Sequence, residues 1–271
     1  MSGVICDAQV HAPDLPHAGR AHGIDPGDLV RAMDGAGVGR AMVVPLAGPG
    51  ETVDNAPALA IAARDPGRFR VMGLVDLPDR GATIAALRAL HTTPGLVGIR
   101  VPFVRALYRG LLEQDRLGWF WGAAETYDVP LMLNVPGNLA RIGTVAAAHP
   151  RLRIAIDHFG LEPYTIFDAK GLLAEIGPLL SLARYPNVSV KATALPCNVA
   201  EAYPFPSLHE PVRLVVAAFG ARRVFWGSDL TRLTVSYADA MRLFTEALPF
   251  LSAADKDWVM GRAICEWSGW S

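Results

Sequence analysis

The sequence predicts an α/β protein, a single (β/α)8 TIM barrel spanning residues 1–271, and three observations carry that expectation. Eight short runs rich in Val, Ile and Leu recur along the chain with helix-like stretches between them, the alternation that builds a parallel sheet covered on its outer face. The length, 271 residues, suits one barrel, which takes about 250 residues as a single core. Unusual polar residues stand at the C-terminal ends of the runs, where this fold carries its active sites: Gln9 and His11, Arg100, Asn134, His158, Lys191 and Asp229. A doubly wound sheet is the competing architecture, but no GxGxxG follows the first run.

The elements can be justified in order. The first run, residues 4–10, delivers Asp7, Gln9 and His11 at alternating positions, which on a regular strand places all three on one face. Three polar groups turned inward are costly unless a site uses them. Residues 12–26, with His17, Arg20 and His22, form a loop long enough for a lid, a solvated surface loop being the equal alternative. A helix opens at Asp28 and leads to a strand near 40–46. Further strands are expected near 70–76, 96–102, 130–135, 152–158, 187–192 and 223–228, with a helix over residues 83–90. Trp119 and Trp121 fall at a helix start and suit the core. Pro178 interrupts residues 169–184, so a helix there kinks or begins late. After the last strand Ser236 and Asp239 form a capping pattern, and Tyr237, Met241, Phe244 and Leu248 make one apolar stripe. Trp267 and Trp270 would cover the barrel or a partner subunit. No repeat, low-complexity segment or linker divides the chain.

Bulk properties narrow the function classes. Hydrophobic residues make up 51% and charged residues 19%, which suits a buried core and not a disordered chain. A net charge of −1 offers no basic field for nucleic acid and no polybasic patch for lipid. No apolar run reaches the ~20 residues of a membrane span, and residues 1–20 lack a signal-peptide core. Cys6, Cys197 and Cys265 are odd in number and far apart, against a disulfide framework or zinc knuckle and in keeping with a cytoplasmic setting. A homo-oligomer is left open.

Five segments together resemble the amidohydrolase superfamily, and within it the amidohydrolase-related group of lactonases and decarboxylases of aromatic and pyrone acids. They are Asp7-Ala8-Gln9-Val10-His11 for the first-strand D-x-H-x-H, Gly98-Ile99-Arg100, Asp157-His158-Phe159-Gly160, Val190-Lys191 and Trp226-Gly227-Ser228-Asp229. Metal-binding members place a metal on two first-strand histidines, a fifth-strand histidine and the eighth-strand Asp. Here Gln9 takes the first position and Asn134 the fifth-strand one, leaving His11 and Asp229. Neutral amides are poor zinc ligands, so the expectation is no cofactor and no bound metal, the alternative being one weakly held divalent ion such as zinc.

The resemblance implies catalysis by Asp229, His158 and His11, with Arg100, Lys191, Gln9 and Asn134 contacting substrate. Asp229 would be the general base on a water, and the two histidines would donate to a developing oxyanion. Arg100 has the planar fork that suits a substrate carboxylate. Lys191 would supply positive potential, a Schiff base being a remote option. Asp7, one layer deeper, would orient a neighbour. Cys197 lacks a basic partner and suits an inert thiol. The leading expectation is therefore a metal-independent hydrolase acting on a carboxylate-bearing lactone or similar cyclic ester, a small-molecule substrate. A decarboxylase or other lyase on the same residues and a non-catalytic ligand-binding barrel are the alternatives.

Overall fold

A computed structural model of the chain describes residues 3–12, 16, 17, 20, 21, 23–47 and 52–270. All eight expected strands form: β1 (Cys6–Val10), β2 (Arg40–Val43), β3 (Phe69–Gly73), β4 (Leu96–Pro102), β5 (Leu131–Asn134), β6 (Ile154–Ile156), β7 (Val188–Thr193) and β8 (Val224–Gly227). They pair in chain order, each parallel to its neighbour, into a nearly closed barrel. At the seam β8 lies beside β1, where the Asp229 N–H donates to the Gln9 carbonyl at 3.0 Å.

The helices sit between the strands, and several begin at a side-chain cap. The first, α1 (Pro26–Ala36), starts two residues before Asp28, because Asp25 accepts from the Gly27 and Asp28 N–H groups and Pro26 needs no donor. It is followed by α2 (Ala56–Arg64), α3 (Arg80–Ala89), α4 (Ala106–Glu113), α5 (Gly118–Thr126) and α6 (Leu139–Ala148). Asp79 caps α3, and Trp121, 5% exposed in α5, is core as expected. Pro178 does divide its segment, into α7 (Ala169–Glu175) and α8 (Gly177–Leu180). After α9 (Pro206–Phe219), the Ser236 hydroxyl accepts from the Asp239 N–H and starts α10 (Tyr237–Arg242). Two short helices, α11 (Ala253–Asp257) and α12 (Ala263–Ser268), end the chain. Of the lid expected over residues 12–26, residues 13–15, 18, 19 and 22 lie outside the described residues; Pro16–His17 and Arg20–Ala21 pair as an antiparallel hairpin.

Two apolar layers hold the barrel. Alternate strand residues such as Val43, Val71, Ile99, Leu133 and Val190 pack outward against the helices. Their neighbours Cys6, Ala8, Met42, Met72, Met132, Ala155 and Phe225 point inward and meet Ile264 and Trp270 at the N-terminal end. Trp270 is 3% exposed, with the Arg40 and Arg70 guanidinium carbons 4.9 and 5.1 Å from its ring, and Trp267 lies against Phe225. The tryptophan pair therefore plugs the bottom of its own barrel.

The face expected for Asp7 is corrected by the structure. Cys6 pairs with Arg40 and Asp7 with Ala41, but Val10 pairs with Val43, so β1 holds one residue more than β2 over this stretch. An extra residue reverses the alternation. Cys6 and Ala8 accordingly face the inner layer and Val10 the outer one. Asp7 faces away from Gln9 and His11, toward Ser228 and Tyr237.

Candidate active site

Three adjacent strand ends turn through left-handed backbone. His158, Ala194 and Asp229 have φ of 53°, 53° and 51°, just beyond β6, β7 and β8. Residues with a Cβ rarely adopt this region, at a cost of order 1–3 kcal/mol each, and such strain gathers where a side chain must be aimed. Here it turns His158 and Asp229 into the barrel mouth. Gly227 makes the preceding turn possible, since a Cβ there would stand 2.5 Å from Thr193 Cγ2 and 3.0 Å from the Ala8 nitrogen.

The mouth is a cavity of about 240 Å³. Of the residues singled out in the sequence, His11, Arg100, Asn134, His158 and Asp229 line it together. Leu46, Leu74, Pro102 and Pro163 supply apolar wall, and Arg105, Tyr164 and Arg232 complete it. Gln9 and Lys191 are fully buried and do not line it. A larger hollow, about 340 Å³, lies outside the barrel against α5 and α6 and receives none of the strand-end polar residues.

Beneath the cavity runs a charged network. Lys191 Nζ donates to Asp157 Oδ1 at 2.8 Å and to Gln9 Oε1, and Arg100 Nε donates to Asp157 Oδ2 at 2.8 Å. Burial alone would raise the Asp157 carboxyl, but Lys191 and Arg100 outweigh it and hold it well below the usual carboxylate range. Burial in turn lowers the Lys191 ammonium, with Asp157 opposing. An ammonium can only donate, which fixes the Gln9 amide: its oxygen meets Lys191 and its NH2 faces His11 Nε2 at 3.2 Å. His11 Nδ1 donates to the Val44 carbonyl at 2.9 Å. In its neutral form His11 thus turns the Nε2 lone pair toward both the amide and Asp229.

Asp229 stands between two imidazoles. Its Oδ1 is 3.1 Å from His11 Nε2 and its Oδ2 is 3.7 Å from His158 Nε2 and 4.0 Å from Arg232 Nη1. Oδ1 is buried without a hydrogen-bond donor among the described residues, as a facing lone pair would leave it. Burial alone would raise this carboxyl too; its contacts with His11, His158 and the Arg232 guanidinium outweigh it and hold Asp229 well below its ordinary range. On the other side, the Thr193 hydroxyl meets His158 Nδ1 at 2.6 Å, closer than the Thr193 carbonyl at 3.2 Å. The hydroxyl can donate as well as accept; with Nδ1 accepting from it, Nε2 carries the proton and turns it toward the cavity and Asp229 Oδ2, the acceptor on that side. Burial lowers the His158 pKa to about 4.

Asp7 acts from outside the cavity, as a deeper orienting group should. It accepts from the Ser228 N–H at 2.8 Å, the Gln9 N–H at 3.0 Å, the Tyr237 hydroxyl at 2.7 Å and the Ser228 hydroxyl. These bonds fix the residues next to Asp229 and His11, although burial still leaves the Asp7 carboxyl raised. Cys197 donates to the Arg232 carbonyl at 3.3 Å, a structural bond on a buried thiol. Arg105, Tyr164 and Arg232 carried no strand-end signal; for Arg232 the only hint was its place three residues after Asp229.

The amidohydrolase family profile matches residues 6–263, nearly the whole barrel. The chain belongs to the amidohydrolase family. It is 31% identical over 220 residues to an L-fucono-1,5-lactonase of Burkholderia ambifaria, a match covering 79% of this chain and 73% of that one. Among solved structures, an amidohydrolase of Burkholderia multivorans with bound zinc superposes with a TM-score of 0.79 at 19% identity, covering 98% of this chain and 99% of the other. A structure described as a 2-pyrone-4,6-dicarboxylic acid hydrolase from Pseudomonas putida gives a TM-score of 0.73 at 22% identity, covering 100% and 99%. This amidohydrolase is an enzyme of the hydrolase class, on a barrel those structures share.

The family raises the question of metal, and the donor set here does not fit one. The first-strand position is Gln9, whose oxygen is engaged by the Lys191 ammonium, and the fifth-strand position is the Asn134 amide. Among the described residues no group of three or more His, Cys, Asp or Glu side chains is arranged to hold a metal ion. An ammonium on the amide oxygen repels a second cation at the same place.

Proposed function

We propose that this amidohydrolase is a metal-independent lactonase in which Asp229 activates water. The observation that carries the proposal is the Asp229 carboxylate held 3.1 Å from His11 Nε2 within the cavity. The kinship with an L-fucono-1,5-lactonase supports the bond type. A strongly acidic carboxylate is ionised throughout the working range but is by itself a reluctant base. His11 repairs that: a proton taken from water by Asp229 passes to the Nε2 lone pair, and the 3.1 Å contact becomes a charge-assisted hydrogen bond. The water oxygen bonds to the lactone carbonyl carbon, and the negative charge on the carbonyl oxygen falls to His158 Nε2–H. Such a preorganised donor is worth about 3 kcal/mol in the transition state. The ring C–O bond then breaks, its oxygen takes the proton back from the His11–Asp229 pair, and a hydroxy acid leaves.

In this scheme His11 carries the proton and does not donate to the oxyanion, because Lys191 and Gln9 set its tautomer. Gln9 and Lys191 become positioning residues. Asn134 Oδ1 is buried without a donor among the described residues and suits a substrate hydroxyl. The substrate is a small molecule, and we place the enzyme in the reducing cytoplasm on its three unpaired cysteines.

Turnover of lactones in ¹⁸O water tests the scheme. Hydrolysis puts one solvent oxygen into the new carboxyl group, whereas decarboxylation would not. Asp229→Asn, which keeps shape and removes the acceptor, should lower kcat by at least ~10²-fold. A folded Asp229→Asn enzyme with near-normal turnover would remove the residue from the mechanism.

A further inference from the structure

The cavity is electrostatically lopsided. Among the described lining residues three guanidiniums, Arg100, Arg105 and Arg232, face one carboxylate, Asp229. Arg100 has committed its Nε to Asp157. Arg232 differs. Its side chain is 7% exposed, its Nη1 reaches Asp229 Oδ2 only at 4.0 Å, and its Nε and Nη2 are buried with no hydrogen-bond partner among the described residues. These two donors form one edge of the guanidinium, the edge whose parallel N–H bonds match the two oxygens of a carboxylate. Leaving them unpaired costs a folded protein more than a single ordinary hydrogen bond returns, so a purely structural partnership with Asp229 does not account for them.

We infer that Arg232 is the carboxylate anchor of the substrate, in place of Arg100. The inference rests on the lactonase proposal and sharpens it: the ligand is a lactone whose ring bears a carboxylate remote from the reacting ester, as in the lactone of an aldaric acid. The Arg232 edge holds that carboxylate while Asp229, beyond Nη1 of the same guanidinium, faces the ester. The Tyr164 ring lies 4.9 Å over the guanidinium and is itself 70% exposed, so it roofs the anchor on the solvent side and must move aside for entry. A cavity of about 240 Å³ is below the range of drug-sized sites and suits a single ring with its substituents.

A matched pair of lactones tests the anchor. D-Galactono-1,4-lactone and D-galactaro-1,4-lactone differ only in a terminal hydroxymethyl against a carboxylate. The wild-type kcat/KM should favour the carboxylate-bearing lactone by at least about tenfold, the least that a charge-assisted pair of hydrogen bonds is worth. In Arg232→Met that ratio should collapse, mainly through KM. In Arg232→Lys, which keeps the charge without the fork, it should fall part of the way; this variant decides the matter if Arg232→Met does not fold. An equal preference for the two lactones, or a preference that survives in both variants, overturns the anchor while leaving the hydrolase standing. Glutarate binding followed by calorimetry separates the two proposals. If neither lactone turns over, the lactonase proposal suffers, yet glutarate bound by wild type and at least tenfold more weakly by Arg232→Lys still supports the anchor. Glutarate bound equally by both proteins refutes it.

Discussion

His158 shows what the site demands of one residue. Its ring is buried between Thr193 and Asp229, and burial holds its pKa at about 4, against about 6.5 in an unfolded chain. The neutral ring still serves as the proposed oxyanion donor if Nε2 holds its one proton, and it makes stability depend on pH. Above pH 6.5 neither folded nor unfolded state binds a proton here. As pH falls from 6.5 toward 4 only the unfolded chain binds one, and stability declines by about 1.4 kcal/mol per pH unit from this residue. Urea unfolding at pH 7.5 and 5 should therefore show wild type losing about 2 kcal/mol more than His158→Gln. Equal losses in the two proteins would mean that the ring is protonated in the folded state and is not held neutral for catalysis. Asp229 is the counterpart, a carboxyl that its neighbours His11, His158 and Arg232 keep ionised against its burial.

Among the elements, β1 does the most to place the site. Its extra residue turns Asp7 outward to hold Ser228 and Tyr237, and turns Gln9 and His11 inward. The same strand is clamped from below by the segment leading into α12. A Cβ on Gly261 would stand 2.3 Å from the Val4 carbonyl oxygen and 2.9 Å from the Cys6 nitrogen, backbone atoms that cannot rotate away. Gly261→Ala should lower stability by about 1–3 kcal/mol or more, as overpacking does. Thermal unfolding, with the fluorescence of the plugging tryptophans as a local probe, measures it; an unchanged Tm would show that the C-terminal segment is not held against β1. The regular elements were legible in the sequence because their apolar periodicity is local. The bulge was not, since no Gly or Pro marks it and only pairing with β2 exposes it.

At the scale of the whole molecule, charge placement underlies the proposal that catalysis proceeds without metal. Lys191 puts a cation on the Gln9 amide oxygen, at the family's first ligand position, and Asp157 balances it. Protein purified without added metal should hold well below one equivalent of zinc, manganese or iron, and its lactonase activity should survive a chelator. Elemental analysis before and after dialysis against the chelator checks both statements. A stoichiometric metal lost together with activity would show that Gln9 releases Lys191 to become a ligand. No helix among the described residues is long and apolar enough to cross a membrane.

By itself the sequence determined the alternation of strands and helices, the barrel, and the band of polar residues at its C-terminal rim. Each of these follows from the order of apolar and polar residues over a few positions. It also placed His11, Arg100, Asn134, His158 and Asp229 around one cavity, because strand ends of a barrel converge by construction. Only the tertiary structure decided which of the polar residues face that cavity and which support it. Gln9 meets Lys191 across 182 residues of chain and Asp7 meets Ser228 across 221, so their partners could not be read from local spacing. The open edge of Arg232 belongs to the same class: a donor is unpaired only by reference to everything folded around it.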